Sequence, residues 1–324
     1  MRRLLTILVL LLPAGAQAAD VTDATGRVVQ VPDHVTRILP AGPPAAVLIE
    51  ALAPDLMLGW PMTLGPEARA LLNPEAANLP SVPRLTGRED VTDAVAALHP
   101  DLIVDYGDVT PGYIALAEKT QQRTGVPTVL LDGSLDHTPQ VLRLLGAALH
   151  RAARAETLAK LAEQSLALPS PPDRTPRVLY ARGPDGLTVA AANTGITDVF
   201  ARLGWQVLAP PGQGTFRKAA LADIAALDPD EIVFGDARMR AVVAASPEWR
   251  ALRAVREGHA LIAPAQPFGW IEEPPSLNRL LGLAWLSGMD PGSLAARFSN
   301  VVYGRALSPA QEQAIADSVQ PLPP

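Results

Sequence analysis

Short apolar runs alternate with longer amphipathic stretches along most of the chain. The runs at 37–39, 56–60, 102–104, 178–180 and 232–234 are typical of buried parallel strands. Stretches with helical spacing of apolar residues lie between them, and segments rich in Gly and Pro mark the turns. This rhythm predicts an α/β fold in which helices flank mainly parallel sheets.

Nearly the same nine-residue phrase occurs twice. Residues 96–104 are AALHPDLIV and residues 225–233 are AALDPDEIV, with seven of the nine positions identical. Each copy predicts the end of a helix, a turn at the proline and a buried strand, because the residue before proline disfavours the helical conformation. The copies occupy comparable points in the two halves of the chain, which predicts two α/β lobes of similar build.

The segment between the two copies has a helical pattern. Residues 138–168 carry an apolar stripe, and Thr138 and Pro139 suit a helix start. Either one helix or two helices broken near His150 would satisfy the pattern, and a continuous helix of about 28 residues would span roughly 40 Å. We therefore expect a single helical connector at 138–168 between an N-terminal lobe at 19–137 and a C-terminal lobe at 169–324, with a ligand cleft between the lobes.

The first twenty residues, MRRLLTILVLLLPAGAQAAD, have the pattern of a signal peptide. Arg2 and Arg3 precede an apolar run that is too short to span a bilayer, and Ala16-Gln17-Ala18 has the form of a signal peptidase site. We expect 1–18 to be removed and the mature protein to be periplasmic. No Cys follows the run, so a lipoprotein anchor is not expected; an N-terminal membrane anchor is the alternative.

Charge and cysteine content narrow the classes of partner. The chain has 27 basic and 33 acidic residues, a formal charge of −6, and loss of Arg2 and Arg3 makes it −8. An acidic chain with only three lysines is not typical of a nucleic-acid binder. Because the chain has no Cys, its stability has to come from burial of the core and not from disulfides.

The order of several motifs resembles a known family. VTDATGRVVQVP, RILPAGPPAAVLIEAL, the two repeated phrases and VREGHALIAP resemble the periplasmic substrate-binding proteins of ABC importers for iron-siderophores, haem and cobalamin. LYARGPDGL, QPFGWIEEPPSLNRLLGLAWLSG and VVYGRALSPAQ look like a subgroup of iron-complex binders, whose members also include carriers of molybdate or tungstate. The resemblance implies two α/β lobes joined by one long helix, and a monomer that delivers its ligand to an ABC permease dimer with its ATPase.

The resemblance also implies two permease-docking acids, one on each lobe just ahead of the repeated phrase. Asp93 matches this position in the N-terminal lobe, whereas in the C-terminal lobe Ala222 is the counterpart and Asp223 lies one residue later. Opposed acids of this kind steer docking onto basic pockets. The alternative for both is a carboxylate favoured at a helix N-terminus.

Candidate ligand-binding residues follow from strand ends, since ligands of open parallel sheets collect beyond the carboxyl ends of the strands. Aromatic walls with a few polar groups, and guanidinium groups that bind anions, are typical of such clefts. Arg279 is expected to pair with Glu272 or Glu273 instead. The residues that meet these criteria and are predicted to bind ligand are Pro43, Trp60, Tyr106, Asp108, Tyr180, Arg182, Arg238, Phe268 and Trp270.

The residues do not suggest a metal bound by side chains or a catalytic centre. None of the five His pairs with another His or an acid at ligand spacing, and no G-x-S-x-G motif occurs. We expect no resident cofactor and no enzymatic activity, and the leading hypothesis is capture of a metal chelate, first of all a ferric siderophore. Molybdate or tungstate, cobalamin, nickel complexes and haem are alternative ligands, and an exported α/β hydrolase is the alternative of another class.

Overall fold

The computed structural model describes residues 18–86, 90–169, 175–319 and 321–322. The predicted signal peptide falls almost entirely on residues outside these ranges. Among the described residues, no helix combines the length and the apolar character needed to cross a membrane.

The N-terminal lobe contains a three-stranded parallel sheet and an antiparallel hairpin. The hairpin pairs β1 with β2, and the sheet has the order β3-β4-β5. The strands are β1 (Ala18–Thr22), β2 (Val28–Pro32), β3 (Ile38–Pro40), β4 (Leu102–Gly107) and β5 (Thr128–Asp132). The helices are α1 (Pro43–Leu52), α2 (Pro66–Leu71), α3 (Pro74–Ala77), α4 (Thr92–Leu98) and α5 (Pro111–Thr124).

The predicted strand at 56–60 is wrong. Pro54–Leu56 form a 3-10 turn, and only isolated bridges follow, from Met57 to Ile38 and from Trp60 to Ser81. The stretch contacts the edge strand β3 through the Met57–Ile38 bridge, with a 2.9 Å hydrogen bond from the Leu58 amide to the Ile38 carbonyl, but the pairing does not continue into a regular strand.

The C-terminal lobe is built on a mixed six-stranded sheet. Its order is β11-β10-β6-β7-β9, and β8 pairs with the first residues of β6. The β6–β7 and β7–β9 pairings are antiparallel, and the other pairings are parallel. The strands are β6 (Arg177–Arg182), β7 (Thr188–Ala190), β8 (Gln206–Val207), β9 (Phe216–Lys218), β10 (Glu231–Phe234) and β11 (Ala260–Ile262). The helices are α8 (Asp198–Arg202), α9 (Leu221–Leu227), α10 (Met239–Ala245), α11 (Pro247–Arg250), α12 (Arg253–Arg256), α13 (Arg279–Leu286), α14 (Pro291–Phe298) and α15 (Pro309–Ser318).

The connector consists of two helices, α6 (Thr138–Ala148) and α7 (Ala152–Leu166). His150 adopts a left-handed conformation with φ 54° between them. The helices fold back on each other, since Arg143 of α6 forms ion pairs with Glu156 at 2.7 Å and with Glu163 at 2.6 Å. Of the two arrangements that the pattern allowed, the structure has two helices broken near His150, and they form a hairpin. The α7 helix alone, about 22 Å long, leads to the C-terminal lobe.

The repeated phrase forms the same unit in both lobes. His99 and Asp228, the residues before the two prolines, end α4 and α9 with φ values of 45° and 43°. In each lobe an Arg at the start of the neighbouring strand bonds the carbonyls at the helix end. Arg37, just before β3, donates to the Leu98 and His99 carbonyls, and Arg177, the first residue of β6, donates to those of Leu227 and Asp228. The two helix–turn–strand units predicted from the repeat are thus confirmed.

Candidate functional site

A cavity of about 150 Å³ lies between the two lobes. It opens beyond the carboxyl ends of β4 and β5 and beside the first turn of α1, where ligands of parallel sheets are expected. The N-terminal lobe contributes Gly42, Pro44, Arg84, Thr86, Asp105, Tyr106, Gly107, Asp108, Tyr113 and Gly133. The C-terminal lobe closes the cavity with Gly195, Ile196, Thr215, Pro275 and Arg279.

Two of the predicted ligand-binding residues, Tyr106 and Asp108, line this cavity. Tyr106 is buried, and its hydroxyl lies 3.4 Å from Oγ1 of Thr138 at the start of α6. Asp108 reaches across the cleft towards Gly195, where a Cβ atom would lie 2.6 Å from its Oδ1 atom. A side chain at position 195 would therefore displace the Asp108 carboxylate from this position.

Pro43 does not line the cavity. It is buried as the first residue of α1, and its neighbours Gly42 and Pro44 form the wall. Its fixed φ suits a helix start, which directs the first turn of α1 at the cleft. The prediction was off by one residue, because the glycine–proline loop ends at Gly42 and not after Pro44.

The charged groups of the cavity are mixed in sign. Burial raises the pKa of Asp105 to about 6, and a 3.0 Å hydrogen bond from the Tyr106 amide opposes this shift only in part. Arg84 lies at the solvent side, where its Nε donates to Oγ1 of Thr86 at 2.9 Å. The charged groups of the cavity are therefore the exposed Arg84 and Asp108 and the buried Asp105 and Arg279.

Arg279 is fully buried at the back of the cavity and pairs with Asp198, not with Glu272 or Glu273 as expected. Its Nη1 lies 2.9 Å from Oδ1 and 2.7 Å from Oδ2 of Asp198. Burial raises the pKa of Asp198, and Arg279 opposes that shift. Glu272 and Glu273 lie in the loop before α13, and their carboxylates contact Arg182 of β6 instead of Arg279.

Tyr180 and Arg182 lie at the end of β6 but do not line the 150 Å³ cavity. Both contact Glu272: the Tyr180 hydroxyl donates at 3.2 Å, and Nη1 of Arg182 lies 3.2 Å from Oε2. The Arg182 guanidinium also lies 3.5 Å from the ring centre of Phe216. Their positions at a strand end were predicted, but in this structure they bind a protein carboxylate.

Arg238 is exposed and forms a local ion pair. Its Nη2 lies 2.5 Å from Oδ2 of Asp236, and its backbone amide donates to the same carboxylate. Arg238 is not among the residues that line either interlobe cavity.

Trp60 and Trp270 are core residues, which corrects their prediction as cleft walls. They are 1 % and 0 % exposed, and their ring nitrogens donate to the carbonyls of Ala76 at 2.7 Å and Gln266 at 3.1 Å. Each tryptophan thus satisfies its polar atom inside the protein. Phe268 packs at 5.9 Å from Trp60 and is itself largely buried.

Phe268 also borders a second, more open cavity of about 450 Å³. This cavity lies between the 62–68 segment of the N-terminal lobe and the 266–273 loop, and a 3.1 Å hydrogen bond from Gln266 to Glu67 joins its two sides. Glu67 and Glu273 are the charged residues of its lining. The 266–275 loop thus separates two cavities in the same interlobe cleft.

Neither a metal centre nor a catalytic triad is assembled in the described part of the chain. No group of three or more His, Asp or Glu suited to a metal ion is found there. Ser134 and Asp132 both contact His137, but at the same ring nitrogen, at 2.9 and 2.6 Å. A triad requires the acid and the nucleophile on different nitrogens.

The two predicted docking acids are both exposed. Asp93 lies in the first turn of α4. Asp223 lies in the first turn of α9, where its Oδ2 accepts a 2.9 Å hydrogen bond from the Ala220 amide. Asp223 therefore caps its helix, as the alternative interpretation expected, and this role does not prevent contact with a partner.

Several residues that line the cavity were not among the ligand-binding residues predicted from the sequence. Asp105 could have been found as an acid directly after the apolar run 102–104. Arg84, Thr86 and Thr215 have no sequence signal, because they come from irregular segments that only the packing of the lobes brings to the cavity.

Comparison with solved structures finds the same two-lobed architecture in solute-binding proteins. An ABC transporter solute-binding protein from Sulfurospirillum deleyianum is 21 % identical, with a TM-score of 0.82 over 93 % of this chain and 99 % of that chain. The molybdate periplasmic binding protein of Haemophilus influenzae, bound to molybdate, is 18 % identical, with a TM-score of 0.70 over 90 % and 99 %. A periplasmic haem-binding protein from Pseudomonas aeruginosa is 24 % identical, with a TM-score of 0.56 over 90 % and 99 %.

At sequence identities of 18 to 24 %, the similarity to these structures establishes the fold alone. Comparison with curated protein sequences finds no significant match. The sequence profile described as periplasmic binding protein matches residues 51–267, about two thirds of the chain. This match agrees with the resemblance found in the motifs and with the interlobe cavity. The chain therefore belongs to the periplasmic binding protein family, whose members are solute-binding proteins of ABC transporters and not enzymes.

Proposed function

We propose that the protein captures a compact metal oxyanion, such as molybdate or tungstate, in the interlobe cavity and delivers it to an ABC permease and its ATPase. The cavity of about 150 Å³ carries this proposal. Pockets for drug-sized ligands occupy roughly 300–1,000 Å³. A ferric siderophore, haem or cobalamin is at least that large, whereas a tetrahedral oxyanion fits between the lobes as they stand.

The cavity wall offers donors for such an anion. Arg84 supplies a cation, Thr86 and Thr215 supply hydroxyl groups, and α1 directs its positive end at the cavity from Gly42. Asp105 opposes an anion when it is ionised, but as a carboxylic acid it donates a hydrogen bond. We therefore expect the anion to bind together with a proton on Asp105.

The relatives are compatible with this ligand class without deciding it. The H. influenzae protein is described as bound to molybdate, and the P. aeruginosa protein as a haem-binding protein. The same two-lobed fold therefore accepts ligands of very different size. In this chain, the small volume of the cavity between the lobes favours molybdate over haem.

A metal chelate such as a ferric siderophore is the second candidate. The 450 Å³ cavity on the other side of the 266–275 loop favours it, because the two cavities together approach the size of such a ligand. Binding would require the loop to move, so that Phe268 and Arg182 contact the chelate.

Isothermal titration calorimetry of the purified protein separates the two candidates. The probes are molybdate, tungstate, ferric hydroxamate and catecholate siderophores, haem and cobalamin; fluorescence is less suitable, because Trp60 and Trp270 lie in the core. We expect saturable one-to-one binding of molybdate or tungstate. Arg84→Gln should weaken it at least about tenfold, and Arg256→Gln, an exposed Arg outside both cavities, should not.

Binding of a siderophore alone would replace the first candidate by the second. Binding of none of the probes would reject both ligand classes while leaving the family assignment intact. Loss of molybdate binding in both the Arg84 and the Arg256 variants would mean that the anion is held by general charge and not in the cavity.

We also propose that residues 1–18 export the protein and that Asp93 and Asp223 contact the permease. The exposure of both acids, one on each lobe, supports the docking proposal.

A further inference from the structure

Behind the interlobe cavity, Arg279 and Asp198 form an ion pair that joins the lobes. Arg279 is the first residue of α13 and Asp198 the first residue of α8, so both belong to the C-terminal lobe. Nη1 of Arg279 contacts both carboxylate oxygens, at 2.9 and 2.7 Å, and also donates to the Gly195 carbonyl at 2.7 Å. The Arg279 side chain is 1 % exposed.

The same pair also binds the N-terminal lobe. Nη2 of Arg279 donates to the carbonyl of Gly133, directly after β5, and Oδ2 of Asp198 accepts from the Leu135 amide at 3.0 Å. Each of the two charged groups therefore makes one bond across the cleft in addition to the contacts within the pair. The 133–135 segment is held by both.

These bonds lie in the wall of the cavity. Gly133, Gly195 and Arg279 are among its lining residues. A wider cleft would separate Gly133 and Leu135 from the pair, so the Gly133 carbonyl, the Leu135 amide and the Arg279 guanidinium would each lose a hydrogen-bond partner. Buried polar groups without partners are costly, and this opposes opening.

We infer that the Arg279–Asp198 pair is a latch that fixes the spacing of the lobes and so selects compact ligands over large chelates. The inference rests on the proposed function and deepens it, because it names the positioning residues that set ligand size. Neither residue needs to contact the ligand. The latch holds the Gly133 and Gly195 walls in place before the ligand arrives, which lowers the ordering cost of binding.

The test measures lobe spacing and ligand selectivity separately. The chain has no Cys, so Ala94→Cys and Ala225→Cys, at exposed positions of α4 and α9, place one spin label on each lobe for electron–electron distance measurement. The latch variants are Asp198→Asn and the double variant Asp198→Asn with Arg279→Gln, which removes both charges and keeps hydrogen-bonding groups. Thermal unfolding first establishes that each variant is folded.

Arg202→Gln is the matched control. Arg202 also bridges the lobes, to Asp136 at 3.2 Å, but both side chains are exposed. Exposed pairs contribute little, so this variant should keep the wild-type distance distribution and selectivity.

We expect a longer and broader inter-label distance in the folded latch variants. Their ratio of molybdate to ferric hydroxamate affinity should fall at least about tenfold. A folded double variant with the wild-type distance distribution overturns the latch, whatever the ligand. If the wild-type protein binds neither probe, the proposed function fails, while the distance measurement still decides whether the latch exists.

Discussion

The hydroxyl of Tyr180 donates a 3.2 Å hydrogen bond to Oε1 of Glu272. Arg182 contacts the same buried carboxyl group at 3.2 Å. Burial raises the pKa of Glu272 to about 7, and Arg182 opposes this shift. The Glu272 side chain therefore titrates near neutral pH, and Arg182 favours its ionised form.

Replacement of Arg182 should destabilise the protein in a pH-dependent manner. In Arg182→Gln, Glu272 loses its cation, so its pKa rises further above its ordinary value of 4.5. At pH 8 the Glu272 carboxylate is ionised in the unfolded chain, and in the variant no Arg182 stabilises this charge in the folded protein; we expect the free energy of unfolding to fall by about 1–3 kcal/mol. At pH 5 the folded protein holds Glu272 in its neutral form, so the free energy of unfolding should change little. Urea unfolding at both pH values measures the effect.

Arg238→Gln, which removes an exposed ion pair, is the control and should leave the free energy of unfolding close to that of the wild-type protein at both pH values. Adding Glu272→Gln to Arg182→Gln should restore most of the stability at pH 8. An equal loss at pH 5 and pH 8 would indicate that Arg182 stabilises through its contact with Phe216 and not through its charge.

Glu50 gives a second pH dependence in the core of the N-terminal lobe. Burial in α1 raises its pKa to about 8 from 4.5, although the Asn73 amide and Arg154 oppose the shift. At pH values between 4.5 and 8, Glu50 therefore holds its proton in the folded protein but has lost it in the unfolded chain. The free energy of unfolding should decrease by up to about 1.4 kcal/mol per pH unit as the pH rises from 4.5 to 8.

Glu50→Gln should abolish this slope, because glutamine imitates the neutral acid. The variant should be as stable as the wild-type protein near pH 5 and more stable at pH 8, as measured by chemical unfolding across the range. Glu118→Gln, on the exposed face of α5, provides the control. A variant that remains less stable than the wild type at pH 8 would show that Glu50 is ionised in the folded state.

Asp105 should make ligand binding depend on pH. Because burial raises its pKa to about 6, oxyanion affinity should increase as the pH falls from 7 to 5 and the carboxylate is neutralised. Asp105→Asn should flatten this dependence and bind at pH 7 up to about tenfold more tightly than the wild type. Calorimetry with molybdate at several pH values measures both.

The same experiment on Asp317→Asn, an exposed residue of α15, controls for general charge and for protonation of the anion itself. A wild-type affinity that does not change between pH 5 and 7 would exclude Asp105 from the binding equilibrium.

Charge reversal at Asp93 should impair transport without affecting capture. In proteoliposomes with the cognate permease and ATPase, Asp93→Lys should reduce stimulation of ATP hydrolysis about tenfold or more, because it opposes a basic docking pocket. Ligand affinity should remain unchanged, since Asp93 is outside the cavity. Glu118→Lys is the charge-matched control on the same lobe. Equal stimulation by both variants would remove Asp93 from the docking surface.

Asp223→Lys requires a separate comparison, because Asp223 also caps α9 through the Ala220 amide. Asp223→Asn retains a capping oxygen and loses the charge. Reduced stimulation by both variants would indicate docking, and reduced stability of Asp223→Lys alone would indicate that capping is the main role.

The local units of this fold could be predicted from the sequence. The apolar runs defined β4, β6 and β10, and the repeated phrase defined two equivalent helix–turn–strand units, because a proline turn between an amphipathic helix and a buried run leaves few other conformations. The position of the site beyond the strand ends followed as well, and Tyr106 and Asp108 line the cavity.

The tertiary structure decided the features that depend on how distant segments pack. The helix hairpin at 138–166 requires the close contact of Gly146 with Ala155, and the periodicity of one helix and of two is the same. Trp60 and Trp270 stand in loops, yet the lobes bury them. The pairing of Arg279 with Asp198, 81 residues apart, depends on which helix ends meet at the cleft. Sequence periodicity records which face of each element is apolar, whereas the partner of a buried charge and the width of a cleft are set by contacts between elements, which no local pattern contains.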